Sequence, residues 1–307
     1  MPKPSIDTLK DQTEREVREL MAEVRRIEVA AGRQVNDMMA GEYVSAFRGR
    51  GMEFDEVREY SPGDDIRAID WNVTARTGRP YVKRYVEERE LTLLFLVDLS
   101  ASGVFGSGDR TKIRRAIEIS ATLMFNALRN NDKVGLVTFA SGILNAIPAR
   151  KSKGHVLRLV RDLIAARPAR GQTRFADALD YIARVQRRKC ALFIVSDFIG
   201  FDDVRALSRL AARHDVVALT IRDPREAELP DAGVLVLEDA ETGKQIEIDS
   251  SSARVRDTYL RLAQERAKAL TDIFRRAGVD ELVVDTTRPF SQTLHEFFKR
   301  RERRMAR

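Results

Sequence analysis

Cysteine is nearly missing from this chain of 307 residues: Cys190 is the only one. A single thiol excludes an internal disulfide framework and fits a reducing compartment. Cys190 leads into the apolar run Ala191-Leu192-Phe193-Ile194-Val195, so a buried structural thiol is expected. Histidine is scarce too. His155, His214 and His295 are widely spaced and have no companion ligands, which argues against a zinc site built on them. Aromatics make up 7% of the residues, and no stretch interleaves Arg or Lys with stacking rings. A net charge of +7 therefore does not by itself point to nucleic acid. The one dense basic run, Lys299-Arg300-Arg301-Glu302-Arg303-Arg304, reads as a solvated helix end. No segment approaches the ~20 apolar residues of a membrane span. The opening Met-Pro-Lys-Pro-Ser has no signal-peptide core. A cytoplasmic protein without membrane insertion is expected.

What is present is enough apolar material, 43% of the chain, to bury a substantial core. Residues Ile6 to Ala31 carry Leu9, Val17, Leu20, Met21, Val24 and Ile27 near a helical period, ending before Gly32. This predicts an N-terminal helix within residues 1–40. Residues 41–90 change character. Met52 to Tyr60 and Tyr81 to Val86 alternate as strands do, and Ser61 to Asp64 and Thr77 to Pro80 are turn chemistry. This predicts a small β-rich segment with an irregular centre. Residues 91–307 then alternate apolar strands with amphipathic helices. Strands are predicted at Leu91 to Val97, Lys133 to Phe139, Ile143 to Ile147, Ala191 to Val195, Val216 to Ile221 and Glu281 to Val284, with a hairpin at Val234 to Leu237 and Gln245 to Ile248. Helices are predicted at Thr111 to Arg129, Val156 to Ile164, Phe175 to Val185, Val204 to Arg213, Ala253 to Arg276 and from Phe290. Repeated β-then-α units imply an α/β fold: a mostly parallel central sheet, helices on both faces, right-handed crossovers, and a small N-terminal helical and β-rich appendage.

In such sheets ligands bind beyond the carboxyl ends of strands, where strand order reverses. Three polar clusters stand at such places. Asp98-Leu-Ser100-Ala-Ser102 follows the first long strand, Asp197 follows Ala191 to Val195, and Thr173 lies in the loop Gly171-Gln-Thr173-Arg174 that opens a helix. Hydroxyls and carboxylates are hard oxygen donors suited to Mg²⁺, or to Mn²⁺ or Ca²⁺, rather than to a thiophilic metal. With Ser100, Ser102 and Thr173 supplying neutral oxygens and Asp98 and Asp197 holding the ion directly or through water, the site is expected to accept an anionic oxygen from a partner's acid. Either cluster alone is weak, because Asp and Ser after a strand also serve as turn formers and N-caps.

Asp98-x-Ser100-x-Ser102 with Thr173 and then Asp197 resembles the metal-ion-dependent adhesion site of von Willebrand factor A domains. The resemblance covers roughly the last two-thirds of the chain and implies that Rossmann-like fold, with those five residues around one divalent cation. Upstream, Gly49-Arg50-Gly51-Met-Glu53-Phe54-Asp-Glu-Val-Arg58-Glu-Tyr60-Ser-Pro62-Gly63-Asp64-Asp65-Ile-Arg67-Ala-Ile69-Asp70-Trp71, leading to Ala75-Arg76, resembles the signature of the bacterial domain-of-unknown-function family number 58. That resemblance implies a partner, a MoxR-type AAA+ ATPase or its client. Physically, Glu53, Arg58, Asp64, Asp65, Arg67, Asp70 and Arg76 set opposite charges close together, as a segment shaped by Arg–carboxylate pairs would require. Trp71 is expected to anchor it on the sheet domain.

Other motifs fail. Gly103-Val-Phe-Gly-Ser-Gly108 has the glycine spacing of a phosphate loop, but Asp109-Arg110 follows where Lys and Ser or Thr belong. No nucleophile or histidine stands near Glu53 or Asp65 to make a paired-carboxylate hydrolase. The stripe Ala116, Ile119, Leu123 and Ala127 reads as core packing. The leading expectation is a non-enzymatic, metal-dependent protein-interaction module. The alternatives are an Mg²⁺-dependent hydrolase using the ion as Lewis acid and, last, a basic nucleic-acid binder.

Overall fold

A computed structural model describes residues 22, 24–30, 53–86 and 91–305. The chain divides into two compact units, one formed by Arg48–Glu90 and one by Met1–Phe47 together with Leu91–Arg307.

In the smaller unit, β1 (Glu53–Glu59) and β2 (Tyr81–Val86) pair antiparallel, with Val57 opposite Lys83 and Glu59 opposite Tyr81. The centre between them is more ordered than its turn-rich sequence predicts. Asp70 caps helix α1 (Trp71–Thr77) by accepting from the Asn72 and Val73 amides, and Gly78 ends it in the left-handed region at φ 73°. A Cβ is disfavoured there, which explains the glycine. Of the expected charge pairs, Arg58 and Asp64 form a two-bonded fork at 2.6 and 2.8 Å. Asp65 instead accepts from the Arg67 amide, and Arg76 turns to the Asn72 carbonyl. The segment is therefore shaped by caps as much as by ion pairs. Trp71 is no buried anchor: it is 67% exposed. Gly51 and the side chains of Glu53 and Phe54 lie outside the described residues.

The larger unit is built on a six-stranded sheet in the order β10-β7-β6-β3-β4-β5. Its strands are β3 (Thr92–Asp98), β4 (Lys133–Phe139), β5 (Ile143–Arg150), β6 (Ala191–Ser196), β7 (Asp215–Arg222) and β10 (Asp280–Asp285). All pairs are parallel except the β4–β5 hairpin at one edge. β3 shows why the sheet is covered on both sides. Leu93, Phe95 and Val97 pack into one apolar cluster and Leu94 and Leu96 into the other, as the two-residue period of a strand requires.

The first cluster is closed by α2 (Lys112–Arg129), α3 (Lys153–Ala165) and α7 (Ser291–Met305), through Ile119, Leu123, Leu159, Leu294 and Phe298. The expected stripe Ala116, Ile119, Leu123 and Ala127 is core. The second is closed by α4 (Phe175–Val185), α5 (Val204–Ala211) and α6 (Ala253–Ala277), through Leu179, Leu207 and Phe274. Each such fully buried side chain contributes about 1.5–3 kcal/mol relative to exposure, so the strand ends between these layers are held firmly. This is the mostly parallel α/β architecture predicted from the sequence. β8 (Val234–Glu238) and β9 (Gln245–Asp249) form a separate antiparallel hairpin.

At the N-terminus residues 22 and 24–30 are helical, and Val24 and Ile27 join the first cluster; the other residues of the predicted helix lie outside the described residues. Among the described residues no helix is long and apolar enough to cross a membrane. Cys190 is buried 3.5 Å from His214 Nδ1, and burial pushes its thiol up to about 12. The basic run in α7 is not simply a solvated end. Arg301 is buried and donates to both oxygens of Asp215, and Arg304 forks onto Asp280.

Candidate metal centre

The chain leaves β3 for β4 on one side and later returns to β6 on the other, so strand order reverses around β3. At this switch point the carboxyl ends of β3 and β6 lie side by side, with Val97 opposite Val195. Asp98, Ser100, Ser102, Ser196, Asp197 and Lys112 line a common pocket there of about 20 Å³, room for one water-sized species. Thr173 is not among its lining residues.

The β3 side is tightly wired. One oxygen of Asp98 accepts from the Ser100 amide at 2.8 Å and the other from the Ser196 hydroxyl at 2.6 Å. The Ser100 and Ser102 hydroxyls are 3.0 Å apart, and Ser100 leads into the short 3₁₀ turn Ala101–Val104, which contains Ser102. Burial raises the Asp98 carboxyl to about 6; the bond from Ser196 opposes this, and the charge of Asp197 adds to it. A carboxylate made costly by its surroundings gains from any cation that arrives.

On the β6 side, Asp197 accepts from the Ile199 amide at 3.1 Å and from the Lys112 ammonium at 2.6 Å. Phe198 turns sharply, with φ 53°, a region that disfavours any residue but glycine. The turn is held by the Phe198 amide bonded to Ser196 and by its ring packed among Phe175, Phe201 and Phe274. Backbone strain beside Asp197 is thus maintained by the core.

Lys112 is the residue that sequence reasoning missed. It is 2% exposed and donates to both Asp197 and Glu226, the latter in the 3₁₀ turn Pro224–Glu226. Burial alone would depress its pKa, but the two carboxylates outweigh that and raise it. Its sequence position offered a signal: Lys112 is four residues before Ala116, on the apolar stripe of α2. A lysine on a core stripe needs buried acids.

Thr173 belongs to a different wall. Its loop is pinned to the strand ends by the Ala169 amide on the Leu99 carbonyl and the Arg174 amide on the Ala140 carbonyl, both at 2.9 Å. Its own amide and hydroxyl donate to one carboxylate oxygen of Glu241, at 3.0 and 2.6 Å. Four of the five sequence-predicted donors therefore share one pocket, and the fifth is engaged by an acid of the same chain.

The glycine-rich loop that mimicked a phosphate loop has a packing reason. A Cβ on Gly106 would lie 2.4 Å from the Arg110 carbonyl oxygen, and the Phe105 carbonyl accepts from the Lys112 amide. The loop closes on the start of α2.

The family described as "Protein of unknown function DUF58" matches residues 56–269. The chain belongs to the DUF58 family. A relative, "Uncharacterized protein Rv1480" of Mycobacterium tuberculosis (strain ATCC 25618 / H37Rv), is 33% identical over 287 residues, covering 92% of this chain and 90% of the relative. "Uncharacterized protein YeaD" of Bacillus subtilis (strain 168) is 26% identical over 133 residues, covering 43% of this chain and 29% of its own. Among solved structures, BatB of Bacteroides thetaiotaomicron is similar at a TM-score of 0.47 and 16% identity, covering 69% of this chain and 99% of that one. The SpRpn10 VWA domain is similar at 0.39 and 14%, covering 69% and 95%. The mostly parallel α/β fold of this DUF58 chain is carried by its strand order and its two helix layers.

The donor chemistry fits a small hard cation. Among the described residues no three His, Cys, Asp or Glu side chains cluster to hold a metal, so any ion in this pocket depends on hydroxyl oxygens as well as on Asp98 and Asp197. The Lys112 ammonium is the competing charge. Glu226 is its second partner, beside Asp197.

Proposed function

We propose that this DUF58 chain is a non-enzymatic protein-interaction module that binds a divalent cation, Mg²⁺ foremost and Mn²⁺ or Ca²⁺ in its place, beside the ends of β3 and β6. Asp98, Ser100, Ser102 and Asp197 are the donors, and Thr173 completes the site from the neighbouring loop. The observation that carries this reading is the shared pocket, ion-sized and lined by two carboxylates, three hydroxyls and the Lys112 ammonium at the switch point of the sheet. A cation held there supplies an open position for one more anionic oxygen, contributed by an acidic side chain of a partner. The resemblance noted in the sequence supports a MoxR-type AAA+ ATPase, or its client, as that partner, in a cytoplasmic chaperone-like or maturation assembly.

The test is capture from a native lysate by the immobilised full chain, with and without EDTA, and by Asp98→Ala. Capture of an AAA+ ATPase that is lost in EDTA and in the variant, while circular dichroism shows the fold retained, supports the reading. Capture surviving both would remove the metal from the function.

A further inference from the structure

The β8–β9 hairpin has a construction that the metal reading leaves unused. Its base is pinned: the buried Ser250 donates its amide and hydroxyl to the Gly233 carbonyl, at 2.8 and 2.7 Å, and accepts from the Ala232 amide. Its tip is preformed. Asp239 accepts from the Glu241 and Thr242 amides at 2.9 and 2.8 Å, and its own carbonyl accepts from Gly243, which is left-handed at φ 69°. That turn presents the Glu241 carboxylate to the amide and hydroxyl of Thr173. Between base and tip Leu235, Leu237 and Ile248 are half-buried, while other apolar positions of the ribbon stand open to solvent. Val234, Val236 and Ile246 are exposed, and two strands alone are marginal in water.

Resting on the reading above, we propose that Glu241 is a built-in occupant of the metal face: it holds the place of the partner's carboxylate, and the partner binds by displacing the hairpin tip. The chemistry is matched at both ends. Thr173 is the one predicted donor outside the pocket, and its hydroxyl is taken by an acid of the class the face is proposed to receive. A pinned base with a single polar latch at the tip makes a flap, closed by Glu241 and opened by competition. If the closed form predominates about nine to one, the apparent affinity for an external acid is lowered about ten-fold.

The experiment uses the full chain and Glu241→Gln, which keeps the size of the side chain and removes its charge. Mg²⁺ is titrated into each by calorimetry. A fluorescein-labelled glycine peptide carrying one aspartate is then titrated at saturating Mg²⁺ and read by anisotropy. Deuterium exchange of residues 239–244 is followed in parallel. The inference expects Mg²⁺ to bind both proteins, the peptide to bind Glu241→Gln about ten-fold more tightly than wild type, and exchange of the tip to quicken in the variant. Mg²⁺ binding to both, with equal peptide affinity or no peptide binding, would overturn the flap and leave the metal site standing. No Mg²⁺ binding to either protein would overturn the metal reading and the flap with it.

Discussion

The two walls of the candidate centre are made differently. The strand wall, Asp98 to Ser102 with Ser196, Asp197 and Lys112, is fastened by short bonds among buried groups at the ends of β3 and β6. In the loop wall the backbone is pinned to the strand ends, but the Thr173 side chain is held by one carboxylate on an exposed hairpin turn. Buried charges cannot be exchanged for water without large cost, whereas a half-exposed hydrogen bond can. The difference teaches that one wall is preorganised and the other is free to answer to a partner. Each substitution below tests that division, beginning with the largest effect.

Removing the charge from Lys112 strikes the strand wall hardest, because Asp197 and Glu226 are left facing each other in a dry site. Lys112→Met is expected to lose about 3–5 kcal/mol in urea unfolding. In 10 mM Mg²⁺ the variant should recover more stability than wild type does, since the dication replaces the lost ammonium beside Asp197. A loss below about 1 kcal/mol would mean the pair is not part of a rigid wall.

The next effect is a pH dependence carried by Asp98. Its folded pKa of about 6 lies above the unfolded value of 3.8, so the folded state holds this proton more tightly. The resulting stability is fully present below about pH 3.8 and is lost as pH rises through about 6. The span amounts to about 3 kcal/mol. Asp98→Asn lacks that decline, so in EDTA it should be more stable than wild type at pH 7.5 and nearly equal to it at pH 4. Parallel pH profiles for the two proteins would show that burial does not burden this carboxyl.

Smallest is the loop wall. Thr173→Ala keeps the amide bond to Glu241 and loses the hydroxyl bond, costing about 1 kcal/mol or less in global stability. Deuterium exchange should nevertheless quicken at residues 239–244. A global loss as large as that of Lys112→Met would erase the distinction between the walls.

The same division governs what could be read from the sequence. β3 and β6 are unbroken apolar runs, so their positions, and the polar residues just past their carboxyl ends, were legible from pattern alone. Asp98 and Asp197, at those ends, then stand at the switch point. Contacts across long separations were not legible. Lys112 finds Asp197 across 85 residues, and Thr173 finds Glu241 across 68. Lys112 left a trace on the apolar stripe of α2; Glu241 left none, because an acid in a hairpin turn looks like any solvated loop residue. In the smaller unit the charge pattern foretold Arg58–Asp64 but not the capping role of Asp70, which shares its composition with an ion pair and differs only in geometry. Trp71 misled for a similar reason, since a lone tryptophan invites burial and here stands exposed.

The central claim is that the strand wall holds one hard cation, and calorimetric titration of Mg²⁺ into the EDTA-stripped full chain tests it most directly. The account predicts one ion per chain for wild type and none for Asp98→Ala that remains folded. Absence of binding to wild type, or unchanged binding to the variant, would contradict it.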